Sequence, residues 1–107
     1  MPARVMVFAA VQEGCEAAFE AAYAAVTAAV KGTPGHVRDE LLRERTRPGR
    51  YVLLSEWESV EAFRAWEDAP IHRELTTPMR PYWAGRVERT IFDVAFRLGE
   101  AVLEPVA

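Results

Sequence analysis

The segment from Val52 to Trp66 joins two periodicities with almost nothing between them. Val52, Leu53 and Leu54 belong to a short apolar run that ends at Trp57, the pattern of a strand. Ser59 follows as a helix N-cap, because its hydroxyl can accept from a backbone N–H that the first helical turn leaves unpaired. An acidic, amphipathic helix runs on from Val60 to Asp68, carrying Ala62, Phe63 and Trp66. A strand that leads directly into a capped helix, with one tryptophan on each side of the junction, constrains the fold more than any other part of the chain.

The remaining elements follow from periodicity and punctuation. Arg4 to Val11 alternates Val5, Val7, Ala9 and Val11 against Met6, Phe8 and Ala10. Both sets are apolar, so this strand belongs in a sheet covered on both faces. Gln12-Glu13-Gly14 is a turn. Glu16 to Lys31 reads as a helix with Phe19, Tyr23, Val26 and Val30 on one stripe and alanines elsewhere. Gly32 suits the position after its C-terminus, and Pro34 prevents continuation. Val37 to Arg45 is a second strand, rich in charge and so expected at an edge. Arg47-Pro48-Gly49-Arg50 is a hairpin turn, and Tyr51 to Trp57 is the third strand. Pro70 begins a further helical turn. Thr77 to Gly85 reads as a loop, Arg86 to Phe96 as the last strand, and 97–107 as a tail whose Val102 and Leu103 are candidates to dock on a neighbour.

The order β-α-β-β-α-β is the split βαβ, ferredoxin-like pattern of an α+β fold. Two helices cover only one face of a four-stranded sheet. Because the first strand is apolar on both faces, the uncovered face calls for another layer, and a second copy of the chain supplies it most simply. A homodimer packed sheet against sheet is therefore expected.

A length of 107 residues suits one domain, with its core over about residues 4–96. Half the residues are hydrophobic and the formal net charge is −3, which is globular composition without the basic footprint of a nucleic-acid binder. The single Cys15 makes neither an intramolecular disulfide nor a cysteine zinc site. No apolar run is long enough to span a membrane and no secretory signal pattern is present, so a cytoplasmic location is expected.

Several segments together resemble the antibiotic biosynthesis monooxygenase superfamily of dimeric α+β barrel proteins. They are Val11-Gln12-Glu13-Gly14 leading to Phe19, Thr33-Pro34-Gly35-His36-Val37, and the stretch Glu56-Trp57-Glu58-Ser59. Ala62-Phe63 with Trp66, and Ala69-Pro70 with His72, complete the set. The resemblance covers roughly Arg4 to Ala95, and order and spacing carry it more than any single motif. It implies a pocket between sheet and helices in each subunit. It also implies one of several activities: oxidation of aromatic polyketide anthrones without metal or flavin, haem degradation, or chemistry on quinols. The haem-degrading branch is marked by an Asn on the first strand, a Trp in the second helix and a His ten residues after that Trp. Trp66 matches, but the Asn position falls on Val7 and the His position on Thr76. His72 lies one helical turn earlier. Haem degradation is disfavoured accordingly.

Each candidate site residue has a plain structural alternative. Trp66 is either a core aromatic beside Phe63 or a pocket wall whose indole N–H donates to a substrate oxygen. His72 is either a solvent-facing histidine or the base that a cofactor-free oxygenase needs to deprotonate a phenol or an anthrone carbon. Tyr23 is either a core aromatic or a phenol that orients a substrate carbonyl. Val7, Phe19 and Phe63 are expected to line the pocket. Tyr82 and Trp83 either close it or staple the dimer. His36, after a Pro-Gly turn, reads as structural. Glu56 and Glu58 read as edge charges pairing with arginines, since no His accompanies them at metal-ligand spacing.

The expected function is cofactor-independent oxidation of a small aromatic, polyketide-like or quinol molecule by dioxygen, with no cofactor and no metal, His72, Trp66 and Tyr23 being the catalytic candidates. The alternatives are a non-catalytic ligand-binding or accessory dimer, and a haem-binding protein.

Overall fold

The computed structural model describes residues 1–99. The docking expected of Val102 and Leu103 lies outside the described residues. Eight elements follow one another: β1 (Ala3–Ala10), α1 (Glu16–Val30), β2 (His36–Arg43), β3 (Arg50–Trp57), α2 (Val60–Asp68), α3 (Pro70–Thr76), a 3-10 helix (Thr77–Tyr82) and β4 (Glu88–Asp93). The strands form one antiparallel sheet in the order β2-β3-β1-β4. This is the ferredoxin-like arrangement, and the charge-rich β2 is at an edge as its composition requires.

Two segments differ from the sequence expectation. The last strand is shorter than Arg86 to Phe96, because β1 is its only partner among the described residues and their register runs only from Phe8↔Glu88 to Ala3↔Asp93. Thr77 to Tyr82 is a 3-10 helix rather than a loop. Pro78 presets its first turn, and Met79 anchors it by entering the core with Phe19, Val26 and Tyr51.

The helical layer is tied to the sheet in three ways. Phe19 is fully buried between the rings of Tyr51 and Trp83, with centroids at 4.9 and 5.1 Å. The Tyr51 hydroxyl donates to Glu20 Oε2 at 2.6 Å, and Arg43 donates to the same carboxylate at 2.9 Å. These two donors, Tyr51 first, hold the Glu20 carboxyl below its ordinary range. At the β3–α2 junction the Ser59 hydroxyl accepts from Ala62 N–H at 3.1 Å, the cap expected from sequence. Ser59→Ala removes this acceptor and should cost about 1 kcal/mol. Urea denaturation monitored by circular dichroism checks it: the midpoint falls while the slope stays fixed.

Alternation along β1 sends Ala3, Val5, Val7 and Ala9 toward the helices and Met6 and Phe8 to the open side. Phe8 is cross-strand from Val52, which is itself paired with Leu42. Phe8, Leu42 and Phe92 remain exposed there, at 40, 43 and 43%. Glu56 is buried on this side between Arg4, at 2.9 Å, and Arg38. The Arg38 hydrogen bond is the main cause of its lowered pKa. Glu58 lies beyond the end of β3 and is exposed, so the two carboxylates do not form a pair on one strand face.

Candidate functional site

Between the sheet and the helical layer lies a cavity of about 260 Å³. Ligand pockets usually measure about 300–1,000 Å³, so this one suits a compact molecule. Its floor is the helix-facing row Val5, Val7, Leu53 and Trp57, and Tyr23, Val26 and Val30 of α1 form one wall. Phe63 and Trp66 of α2 form another. These positions follow from the two periodicities: every second residue of a strand and every third or fourth of a helix face the same interlayer space.

Six of the eight expected residues line the cavity: Val7, Tyr23, Phe63, Trp66, His72 and Trp83. Phe19 and Tyr82 do not. Phe19 is sealed in the core, and Tyr82 packs against that same cluster. Phe19 lies on the inward stripe of α1, but that end of the stripe meets packed side chains, whereas Tyr23 and Val30 reach the open part of the layer.

His72 and Trp66 meet in an edge-to-face contact, ring centroids 5.0 Å apart at 81°. Burial lowers the His72 pKa from its ordinary 6.5, Glu67 opposes this, and Arg80 adds to it. The imidazole is therefore neutral at pH 7, the form a base requires. Burial, and then the charge of Asp39, raise the Tyr23 pKa above its ordinary 10.0. Tyr23 consequently stays a protonated phenol able to donate to a ligand oxygen. Near the other aromatics, Arg89 donates to Glu67 at 2.8 Å and lies 5.7 Å from the Phe63 ring centroid. This cation–π and ion-pair contact joins β4 to α2 at the cavity wall.

Sequence reasoning missed part of the site. His36 is not merely a residue after a turn: it lines the cavity together with Asp39, Thr27 and Ser55. His36 Nε2 is 2.7 Å from Asp39 Oδ1, and Thr27 donates to the other oxygen of that carboxylate. The i, i+3 spacing gave no signal, because residues three apart on a regular strand point to opposite faces. Among the described residues no group of three or more His, Cys, Asp and Glu side chains is placed to hold a metal ion.

A four-stranded antiparallel sheet, helices on one face, and an apolar cavity with two histidines between the layers define a ferredoxin-like α+β protein with a ligand-sized internal pocket. The family model described as antibiotic biosynthesis monooxygenase matches residues 2–77, and the chain belongs to that family. Protein SchA of Streptomyces halstedii is 33% identical over 82 residues, which cover 77% of this chain and 22% of that protein. The 42.8 kDa protein in the whiE locus of Streptomyces coelicolor is 34% identical over 76 residues, covering 71% of this chain and 19% of the relative. The chain thus spans about a fifth of the length of these two relatives. A mycobilin-producing heme oxygenase of Mycobacterium tuberculosis is 43% identical over 42 residues, covering 39% of this chain and 40% of that protein.

Among solved structures, a mutant of SnoaB, a cofactor-independent oxygenase from Streptomyces nogalater, matches with a TM-score of 0.80 at 29% identity. The match covers 92% of this chain and 98% of that one. A heme-degrading protein from Mycobacterium tuberculosis matches with a TM-score of 0.72 at 28% identity, covering 92% of this chain and 100% of the other. No helix among the described residues is long and apolar enough to cross a membrane.

Proposed function

We propose that the protein is a cofactor-independent oxygenase acting on a small aromatic, polyketide-like or quinol compound. The observation that carries this reading is the convergence of His72, Trp66 and Tyr23 on one predominantly apolar cavity. The likeness to SnoaB supports it. In this reading the ring of the substrate lies among Trp66, Phe63 and Val7. Neutral His72 removes a proton from the activated ring carbon, and the electron pair of the broken C–H bond stays on the substrate. The Tyr23 hydroxyl donates to the substrate oxygen onto which that charge spreads. The carbanion passes an electron to dioxygen, and recombination forms a C–O bond. The imidazolium returns its proton to the peroxide, and loss of water leaves a carbonyl. One oxygen atom enters the product and the other leaves as water.

Oxygen consumption by purified, metal-free protein across a panel of anthrones and naphthols tests this. Uptake that requires the protein supports an oxygenase. No uptake across the panel, with binding retained, would replace it by an accessory ligand-binding dimer.

The 42-residue likeness to a heme oxygenase raises haem as an alternative occupant, but two positions of the haem-degrading pattern are not met. Thr76 stands where the haem-degrading pattern needs its axial histidine, and its hydroxyl is committed to the His72 carbonyl at 2.9 Å. Val7 stands where that pattern needs asparagine, and offers no donor.

The subunit is proposed to pair with a second copy through the open face of the sheet, where Phe8, Leu42 and Phe92 lie exposed. A charge placed at the centre of that face would be buried without a partner. Phe8→Asp should therefore halve the mass seen by sedimentation equilibrium, with little loss of secondary structure. A variant that sediments at the wild-type dimer mass would mean that the copies meet elsewhere.

A further inference from the structure

His36 and Asp39 share a face of β2 because the pairing with β3 slips between them. His36 pairs with Trp57, but it is Arg38, two residues on, that pairs with Glu56, so Val37 is the additional residue of a β-bulge. Val37 is turned out, with 58% of its surface exposed. His36 and Asp39 are turned in, with side chains only 10 and 15% exposed, and both line the cavity.

Their surroundings hold the imidazole in one orientation. Asp39 Oδ1 faces His36 Nε2 at 2.7 Å, and Thr27 from α1 donates to Asp39 Oδ2. The Trp57 ring packs on the imidazole with centroids 5.0 Å apart, and its own N–H is held by the Ser55 hydroxyl at 2.9 Å. A carboxylate can only accept, so in the neutral imidazole it is Nε2 that carries the proton and Nδ1 that keeps the lone pair. Nδ1 has no hydrogen-bond partner among the described residues. Within that same set, Arg97 Nε is the sole side-chain polar atom both buried and unpartnered, so Nδ1 is not fully sealed and keeps some accessible surface. A base held by a third group is the usual arrangement for proton abstraction. The ring of His72 has no such hydrogen bond among the described residues and meets the Trp66 ring edge-on.

We infer that His36 is a second proton acceptor of this cavity, which takes the proton of an aromatic hydroxyl at Nδ1 while Asp39 and Thr27 act as positioning residues. The inference rests on the proposal that the cavity receives an aromatic substrate, and it narrows that substrate to one bearing a phenolic hydroxyl. In the step, the O–H bond breaks, an Nδ1–H bond forms, and the electron pair stays on oxygen. The resulting imidazolium is matched by Asp39. No oxidant is consumed. Tyr23, a neutral donor, is the other titratable group near the dyad, whereas Glu40, between inward-facing Asp39 and Leu41, is exposed on the opposite side of the sheet. A phenolate is a better electron donor than its phenol, so ionisation here prepares the ring for the oxygen chemistry assigned to His72.

The test is an anaerobic titration with a nitronaphthol whose phenol and phenolate absorb at different wavelengths. Bound to the wild type, its hydroxyl pKa should fall by about one unit or more, a tenfold change in ionisation constant. His36→Gln should abolish the shift and Asp39→Asn should diminish it. His72→Gln should retain it while losing oxygen uptake. An unshifted probe on the wild type, or a shift that survives His36→Gln, overturns the inference. A shift that persists when no member of the panel supports oxygen uptake counts against the oxygenase reading alone. Should the His36 or Asp39 variant fail to fold, nitrogen-15 NMR of the wild-type imidazoles decides. An Nε2–H tautomer of His36 that becomes imidazolium on adding the nitronaphthol upholds the assignment, and an Nδ1–H tautomer or an unmoved resonance ends it.

Discussion

His72→Ala should lower kcat for oxygen uptake by about 10²–10⁴-fold, the usual contribution of a positioned general base. The change deletes the imidazole but leaves Trp66, Phe63 and the open face of the sheet in place. The sedimentation mass should therefore not change, and binding of a substrate should weaken far less than turnover. The pH profile adds a second readout. Burial lowers the His72 pKa, so the active, neutral form persists below the ordinary 6.5 of a histidine. Wild-type kcat/KM should be level near neutrality and fall as pH drops through a midpoint below 6.5. In His72→Ala that limb should disappear from the residual rate. Turnover that stays at the wild-type level would remove His72 from the chemistry and leave it as a lining residue.

Gly35→Ala should be the most destabilising small substitution in the described chain. Gly35 has φ +80, a conformation that costs an L-residue about 1–2 kcal/mol. A Cβ built there would also lie 2.4 Å from Ala62 Cβ on α2, far inside contact distance. Relief requires moving α2 away from β2, an overpacking cost of about 1–3 kcal/mol. The expected loss is about 2–5 kcal/mol by chemical denaturation. Gly32→Ala is the control. Its φ is similar, +91, but no atom lies within 4 Å of the added Cβ, so it should show the conformational cost alone. Combining Gly35→Ala with Ala62→Gly should recover the steric part, less about 1 kcal/mol for glycine in a helix. Equal losses at Gly35 and Gly32 would mean that the close approach of α2 relaxes at no cost.

Most of the layer structure is legible along the chain, because it follows from local rules. The alternation of Val5, Val7 and Ala9 against Met6 and Phe8 distinguishes the two faces of β1. The Phe19–Tyr23–Val26–Val30 spacing defines the buried stripe of α1. Ser59, Pro70 and the Pro48-Gly49 pair mark where elements begin or turn, through capping and fixed φ. Trp66 and His72 are found by the same means, with the family resemblance directing attention to them. Phe19 and Tyr82 show the limit of such rules. Periodicity places a residue on the inward face, but cannot say whether that part of the layer is packed solid or left open.

The His36–Asp39 pair lies beyond sequence rules altogether. Read as a regular strand, the two residues point to opposite sides of the sheet, with Asp39 one more charge on an edge. Only the slip in pairing against Trp57 and Glu56 turns Val37 outward and brings both side chains into the cavity beside Thr27. By itself the amino-acid sequence determined which faces of β1 and α1 meet the interlayer space and where α1, α2 and α3 begin, because those depend on neighbours along the chain. The tertiary structure decided where that space stays open and which charged groups meet inside it, because a bulge is a property of two paired strands and is written in neither of them alone.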